Sequence, residues 1–180
     1  MNLANKLTVL RIIMVPFFLV FISIESIPYG VEIATGIFIL AALTDKLDGY
    51  IARSRNMVTD FGKFMDPLAD KLLVTAALIA LTNMRIVPAW IVVVIISREF
   101  AVSGLRTLAA NKGVVIAASW WGKIKTVIQF LAIIVALVNI IMESSVLTNI
   151  TSVTIYVAAI ITIISGWDYF AKNRNVIANM

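Results

Sequence analysis

The sequence has no cysteine and no histidine among its 180 residues. The first absence excludes disulfides, thiolate nucleophiles and metal sites built on sulfur. The second removes the commonest general base and the commonest transition-metal ligand. Acid–base chemistry therefore falls to Asp or Glu, with Lys or Tyr behind them. Charge is scarce too, at 14% of positions, and proline occurs only four times. Hydrocarbon fills the space instead. Hydrophobic residues reach 61% and mean hydropathy is +1.00, against the ~45–50% apolar share of soluble domains. A water-soluble fold of this size cannot hide that much apolar surface. A bilayer can, and it favours helices of about 20 apolar residues.

Apolar runs separated by polar or Pro/Gly punctuation predict an all-α polytopic membrane protein, a bundle of six transmembrane helices at roughly 7–24, 31–53, 64–82, 87–110, 120–142 and 147–170. Ser26-Ile27-Pro28-Tyr29-Gly30 separates the first two, and Asn111-Lys112-Gly113 ends the fourth. Lys6 before an apolar run resembles a signal peptide, but Arg11 interrupts the run and no Ala-x-Ala-like cleavage site follows. The segment is read as a retained first helix. No linker, repeat or low-complexity stretch divides the chain, so residues 1–180 are expected to form one domain.

Lys and Arg orient the bundle. The loops near 25–32, 83–86 and 143–149 hold one of the fifteen basic residues, Arg85. The others lie in or near the N-terminus, the 53–63 loop, the 106–125 segment and the C-terminal Lys172 and Arg174. The positive-inside rule then predicts cytoplasmic termini. Trp90, Trp120, Trp121 and Trp167 fall near predicted helix ends, as interfacial anchors do.

Four carboxylates stand out in this apolar chain. Asp45, Asp48, Asp66 and Asp70 occupy a 26-residue stretch, framed as Asp45-x2-Asp48-Gly49-x2-Ala52-Arg53-x8-Gly62-x3-Asp66-x3-Asp70. A carboxylate within a membrane costs roughly 2.5–3.5 kcal/mol on insertion scales, so a cluster of four calls for a neutralising cation. At about 100° per residue, Asp45, Asp48, Gly49 and Ala52 share an arc of roughly 100°, with Arg53 about 40° beyond Gly49. Asp66 and Asp70 are about 40° apart. Pro67 suits a first turn if the third helix starts near Lys63 or Phe64, with Gly62 at or before that start. Two antiparallel helices joined by a short loop can bring the four acids together. Oxygen ligands without histidine suit two divalent cations, Mg²⁺ or Mn²⁺, in a phosphoryl-transfer site. The small residues leave room for a ligand against the backbone, and Arg53 can bind phosphate bidentately. The competing reading is a brace of ion pairs with Lys46, Lys71 and Arg53. That brace does not require glycine and alanine on the same face.

The spacing resembles the signature of the CDP-alcohol phosphatidyltransferase family, with every fixed position present. Asn5-x2-Thr8-x2-Arg11, the Ser97–Arg106 segment and Trp121-Gly122-Lys123-Ile124-Lys125-Thr126 resemble its phosphatidylglycerophosphate-making branch. The resemblance implies displacement of CMP from CDP-diacylglycerol by glycerol 3-phosphate. It also implies a homodimer in the cell membrane, with the active site at the cytoplasmic face. Asp45, Asp48 and Asp66 would be metal ligands, and Asp70 both a ligand and the base for the incoming hydroxyl. Gly49, Arg53 and Thr59 match positions lining the CDP-lipid pocket, which Asn5, Thr8, Ala52 and Gly62 are expected to join.

The acceptor is read from other charges. Arg98, Arg106 and Lys123, together with Arg11, are the candidate ligands for a phosphate dianion, which favours glycerol 3-phosphate over an uncharged alcohol. Pairing of Arg98 with Glu99 is the alternative use of that charge. Lys125 points about 200° away from Lys123 and is set aside, and Asp168 is expected to pair with Lys172. Other acceptors such as inositol phosphate or serine remain open. A divalent-cation transporter is disfavoured, because such sites sit at the bilayer midplane, often between repeats. No nucleic-acid-binding feature is present.

Overall fold

A computed structural model describes residues 3–54, 60–111, 113, 114, 116, 117 and 119–174, without the side chains of 3, 4, 45–54, 60, 61, 63 and 64. The described residues form six helices and no strand: α1 (Leu3–Ser23), α2 (Gly30–Ser54), α3 (Asp60–Asn83), α4 (Ala89–Asn111), α5 (Trp120–Met142) and α6 (Ser145–Lys172). Apolar run length accounts for most of these boundaries. Three described stretches, Asn5–Ser23, Trp120–Met142 and Ser145–Lys172, are long and apolar enough to cross a membrane by composition alone. The other three helices carry the acids and bases of the sequence motifs, which is what lowers their hydropathy.

α3 starts earlier than the sequence suggests. It begins at Asp60, so Gly62 lies inside the helix and Pro67 sits in its interior rather than in its first turn. Proline there removes one ladder hydrogen bond. α1 tolerates the same loss at Pro16. Membrane helices absorb such breaks where neighbouring groups re-satisfy the backbone.

α1 packs on α2 and α3, α5 packs on α6, and α4 packs on α6. The packed faces change character along the bundle. On α1 the buried stripe reads Asn5, Thr8 and Arg11, then Val15, Phe18 and Ile22. On α5 it reads Lys125 and Gln129, then Ala132, Ile133, Ala136 and Leu137. α4 runs the other way, from Ile91 and Ile95 towards Arg98 and Glu99. One half of the bundle is dry and the other half polar. In the dry half Phe38 packs between Phe18 and Phe130, at ring-centroid distances of 6.0 and 5.7 Å. Buried Ala41, Ala77, Ala80, Ala136 and Ala158 let backbones approach closely, which suits a bundle held by packing rather than by water exclusion.

Apolar side chains also face outward. Ile13 and Phe17 on α1, and Val153, Ile160 and Ile163 on α6, are exposed. Trp90, Trp120, Trp121 and Trp167 are exposed near helix ends. Three connections at the dry end turn through left-handed residues, Tyr29, Arg85 and Glu143, with φ of 58°, 60° and 46°. At the last of these, Glu143 N–H donates to the Asn139 carbonyl at 2.9 Å and closes α5.

The α1–α2 turn generates a test. A Cβ added at Gly30 would lie 2.5 Å from the backbone carbonyl oxygen of Phe21, whereas one at Gly36 meets nothing within 4 Å. Gly30→Ala is expected to destabilise by about 1–3 kcal/mol, and Gly36→Ala to be neutral or slightly stabilising. Thermal unfolding in detergent checks both. Equal midpoints for the two variants would contradict this packing.

Candidate functional site

The polar half of the bundle is built around the first part of α3. Asp66 and Asp70 lie one helical turn apart, so both carboxylates leave the same face. Thr8, fully buried on α1, donates its hydroxyl to Asp66 Oδ1 at 2.5 Å. That bond ties the first helix to the acidic face of the third. Asn5 lies about one turn before Thr8 and Arg11 about one turn after it, both buried on the same stripe. Gly62 is buried four residues ahead of Asp66.

Asp45, Asp48, Gly49, Ala52 and Arg53 lie on the last turns of α2, which packs against α3. Their side chains are outside the described residues, and Thr59 is outside them altogether. Among the described residues no three acidic side chains form a metal site. The two aspartates of α3 nonetheless fit a hard divalent cation. Their donors are oxygens on one face, and a hydroxyl from α1 orients one of them.

A cavity of about 250 Å³ opens beside Asp70 between α3, α4, α5 and α6. Three of the four predicted acceptor bases, Arg98, Arg106 and Lys123, line it. Arg11 does not stand on this wall and belongs to the buried α1 stripe. Lys71 also lines the cavity, and its ammonium donates to Ser103 Oγ across the α3–α4 seam. The first turn of α5 forms part of the rim. Ser119 caps it by accepting from Gly122 N–H at 3.1 Å, and a helix N-terminus adds a partial positive charge there. Tyr169 closes the far wall and donates to the Ala117 carbonyl at 3.0 Å. A second cavity of about 520 Å³ shares Pro67, Lys71, Ser103 and Arg106 with the first. Leu68, Phe100, Ala110, Val114 and Ile116 make the rest of it mostly apolar, with Thr107 and Asn111 as its polar members.

Arg98 is the most constrained cation on the wall. Its Nη1 donates to Glu99 Oε1 at 3.1 Å and its Nη2 donates to Ser165 Oγ at 2.5 Å. The guanidinium therefore makes the Glu99 pair and still lines the cavity. Its Nε is buried and has no hydrogen-bond partner among the described residues. Two glycines flank the side chain, and Gly166 is the closer fit. A Cβ at Gly166 would lie 3.3 Å from Arg98 Cγ, and one at Gly122 would lie 3.6 Å from Nη2.

Lys125, which the sequence reading set aside, belongs to this cluster. It is 5% exposed and forms an ion pair with Glu99 Oε1. The helical angle from Lys123 was right, because Lys123 is exposed while Lys125 is buried. The buried side of α5 faces Glu99, however, rather than apolar core. The available signal was Lys125 and Gln129 at i, i+4 on the stripe that continues into Ala132 and Ala136. At the other end of the chain, Asp168 pairs with Lys172 at 2.7 Å, as the sequence suggests.

The family model for CDP-alcohol phosphatidyltransferase matches residues 1–164. The chain is 46% identical to the CDP-diacylglycerol–glycerol-3-phosphate 3-phosphatidyltransferase of Bacillus subtilis, over 96% of this chain and 95% of that protein. It is 41% identical to a probable phosphatidylglycerophosphate synthase of Mycobacterium tuberculosis, over 95% of this chain and 81% of that one. Identity is also 41% with the Haemophilus influenzae CDP-diacylglycerol–glycerol-3-phosphate 3-phosphatidyltransferase, over 93% and 91% of the two chains. With the Asp70 cavity and the signature that frames it, these matches show that the chain belongs to the CDP-alcohol phosphatidyltransferase family.

Proposed function

We propose that this protein transfers a phosphatidyl group from CDP-diacylglycerol to glycerol 3-phosphate, producing phosphatidylglycerophosphate and CMP in phospholipid biosynthesis. The names of its relatives support the reaction. The structural observation that carries the acceptor is the charge of the Asp70 cavity. Arg98, Arg106, Lys123 and Lys71 face Asp70 and Glu99 there. That surplus of two positive charges matches a phosphate dianion, whereas glycerol or serine would leave it uncompensated. The adjoining apolar cavity suits an acyl chain of the lipid beside the reacting headgroup.

The reaction joins the acceptor hydroxyl oxygen to the phosphatidyl phosphorus of CDP-diacylglycerol. The bond from that phosphorus to CMP breaks, and CMP leaves with the bonding electrons. Asp70, on the wall of the acceptor cavity, takes the hydroxyl proton. The four bases hold the acceptor phosphate, so the hydroxyl end is presented to Asp70. Asn5, Thr8, Gly49, Ala52, Arg53, Thr59 and Gly62 are assigned to the CDP-lipid. Arg11, buried beside Thr8 on α1, is kept as a candidate phosphate ligand of this site. Asp45, Asp48, Asp66 and Asp70 would hold two divalent cations, Mg²⁺ or Mn²⁺, whose charge offsets that of the diphosphate and polarises it. Phosphoryl transfer needs such positioning and neutralisation more than covalent help.

This single domain, residues 1–180, lies in the cell membrane as six transmembrane helices. Both termini and the site face the cytoplasm, and a homodimer is the working unit. The connections at the dry end, 24–29, 84–88 and 143–144, carry Glu25, Arg85 and Glu143. The charge asymmetry thus supports the orientation.

Purified protein supplied with CDP-diacylglycerol, Mg²⁺ and a panel of alcohols tests the acceptor by CMP release. Glycerol 3-phosphate is expected to support turnover, and glycerol, serine and inositol phosphate to support little. Arg106→Gln or Lys123→Gln is expected to raise KM for glycerol 3-phosphate on the order of 10-fold, with KM for the lipid nearly unchanged. Both residues are exposed on the cavity rim, which keeps the loss at the lower end for a charge-assisted contact. Equal rates with glycerol, or equal KM changes for both substrates, would contradict the acceptor assignment.

Asp70→Asn is expected to leave CDP-lipid binding largely intact and to lower turnover at least about 100-fold, the scale of general-base catalysis. Near-normal turnover in the folded variant would remove Asp70 from the base role.

A further inference from the structure

Arg98 differs from the other cations of the acceptor cavity in being held by two side chains, Glu99 and Ser165, where Lys71 is held by Ser103. Arg106 and Lys123 are exposed, whereas the Arg98 side chain is 12% exposed. Ser165 on α6 takes one end of its fork and Glu99 takes another. Gly166 leaves room for its stem, since a Cβ there would crowd Arg98 Cγ. A lone Glu99 would neutralise the guanidinium and leave little charge for a ligand. Lys125 alters that balance. It pairs with Glu99 from behind and is not on the acceptor-cavity wall. The three side chains together keep one positive charge, and Arg98 is the member that reaches both the cavity and the α6 serine. A smaller chamber of about 30 Å³ lies beneath them, bounded by Asp70, Glu99, Lys125 and Gln129. Its volume suits a single water, and the Gln129 Nε2 donor is buried there without a hydrogen-bond partner among the described residues. The pair thus borders a small chamber with Asp70 and Gln129 among its polar walls and Val74, Leu78, Ile95 and Phe130 among its apolar ones.

We propose that Glu99, Lys125 and Ser165 are positioning residues that hold Arg98 in place for the acceptor phosphate, an inference that rests on the reading of Arg98 as a phosphate ligand. A guanidinium already locked in its binding rotamer loses little freedom when the ligand arrives, which lowers the cost of binding. The charge behind Glu99 leaves Arg98 electropositive while it is held. The effect should therefore be specific to glycerol 3-phosphate and should act only through Arg98.

Variants that separate stability from positioning test this. Removing one member of a buried pair leaves an uncompensated charge, whereas replacing both by apolar groups of similar volume is often neutral. Glu99→Met and Lys125→Met are each expected to lower the thermal midpoint, and the double variant to recover most of it. In the recovered double variant, KM for glycerol 3-phosphate is expected to rise roughly 10-fold and KM for CDP-diacylglycerol to stay within about twofold. Arg98→Gln alone should give a rise of similar size. Adding it to the double variant should cause little further change, the non-additivity of residues acting as one unit. Ser165→Ala, which keeps the ion pair, should raise the same KM about threefold and have no effect in the Arg98→Gln background. A wild-type KM in the recovered double variant or in Ser165→Ala, or additive effects with Arg98→Gln, would overturn the positioning role. An unchanged KM in Arg98→Gln itself would overturn the underlying acceptor assignment instead.

Discussion

Charge inside a low-dielectric helix bundle must be matched, and the organisation of this protein follows from that constraint. An isolated carboxylate or ammonium within the bundle would be expensive. The chain concentrates such groups at one end, where described ones such as Asp66, Arg98, Glu99 and Lys125 meet an opposite charge or a hydroxyl and others line an open cavity. Asp66 takes the Thr8 hydroxyl, and Glu99 is shared by Arg98 and Lys125. The surplus bases face open space of a size for a small phosphorylated alcohol. The dry half, with Phe18, Phe38 and Leu81 buried, has no comparable demand and is free to pack on small residues.

Division of labour among the helices has the same origin. α1, α5 and α6 are the long apolar spans, yet α1 and α5 each bring polar residues into the polar half. α3 and α4 carry Asp66, Asp70, Arg98 and Arg106. Catalysis of phosphoryl transfer depends on where charges are held before the substrates arrive. Rigid helices crossing at one level supply that positioning, and Arg98, tied to Glu99 and to Ser165 beside Gly166, shows it at a single side chain.

Much of this could be read from the chain. The helix boundaries were legible because long apolar runs end at polar or Pro/Gly punctuation, and α5 was located to the residue. The shared face of Asp66 and Asp70 follows from helical geometry alone. So does the contrast between exposed Lys123 and buried Lys125. The partner of Lys125 did not follow, because angular position on one helix says nothing about what the neighbouring helix presents. The extra turn at the start of α3 was also hidden. Pro67 suggests a helix beginning close to it, yet α3 continues N-terminally past Gly62 to Asp60. The absence of Arg11 from the described wall of the Asp70 cavity is likewise a property of helix packing, which places it one turn from Thr8 on the α1 stripe.

In the proposed site, acids from α2 and α3 hold two divalent cations next to the basic cavity. Electron paramagnetic resonance of Mn²⁺ titrated into the purified protein measures that site directly. Two Mn²⁺ per chain are expected, close enough for their spins to couple, as in two-metal sites with ions about 3.5–4 Å apart. Asp66→Asn should reduce the number bound and abolish the coupling. Binding of two uncoupled ions, or full coupled binding in Asp66→Asn, would contradict the account.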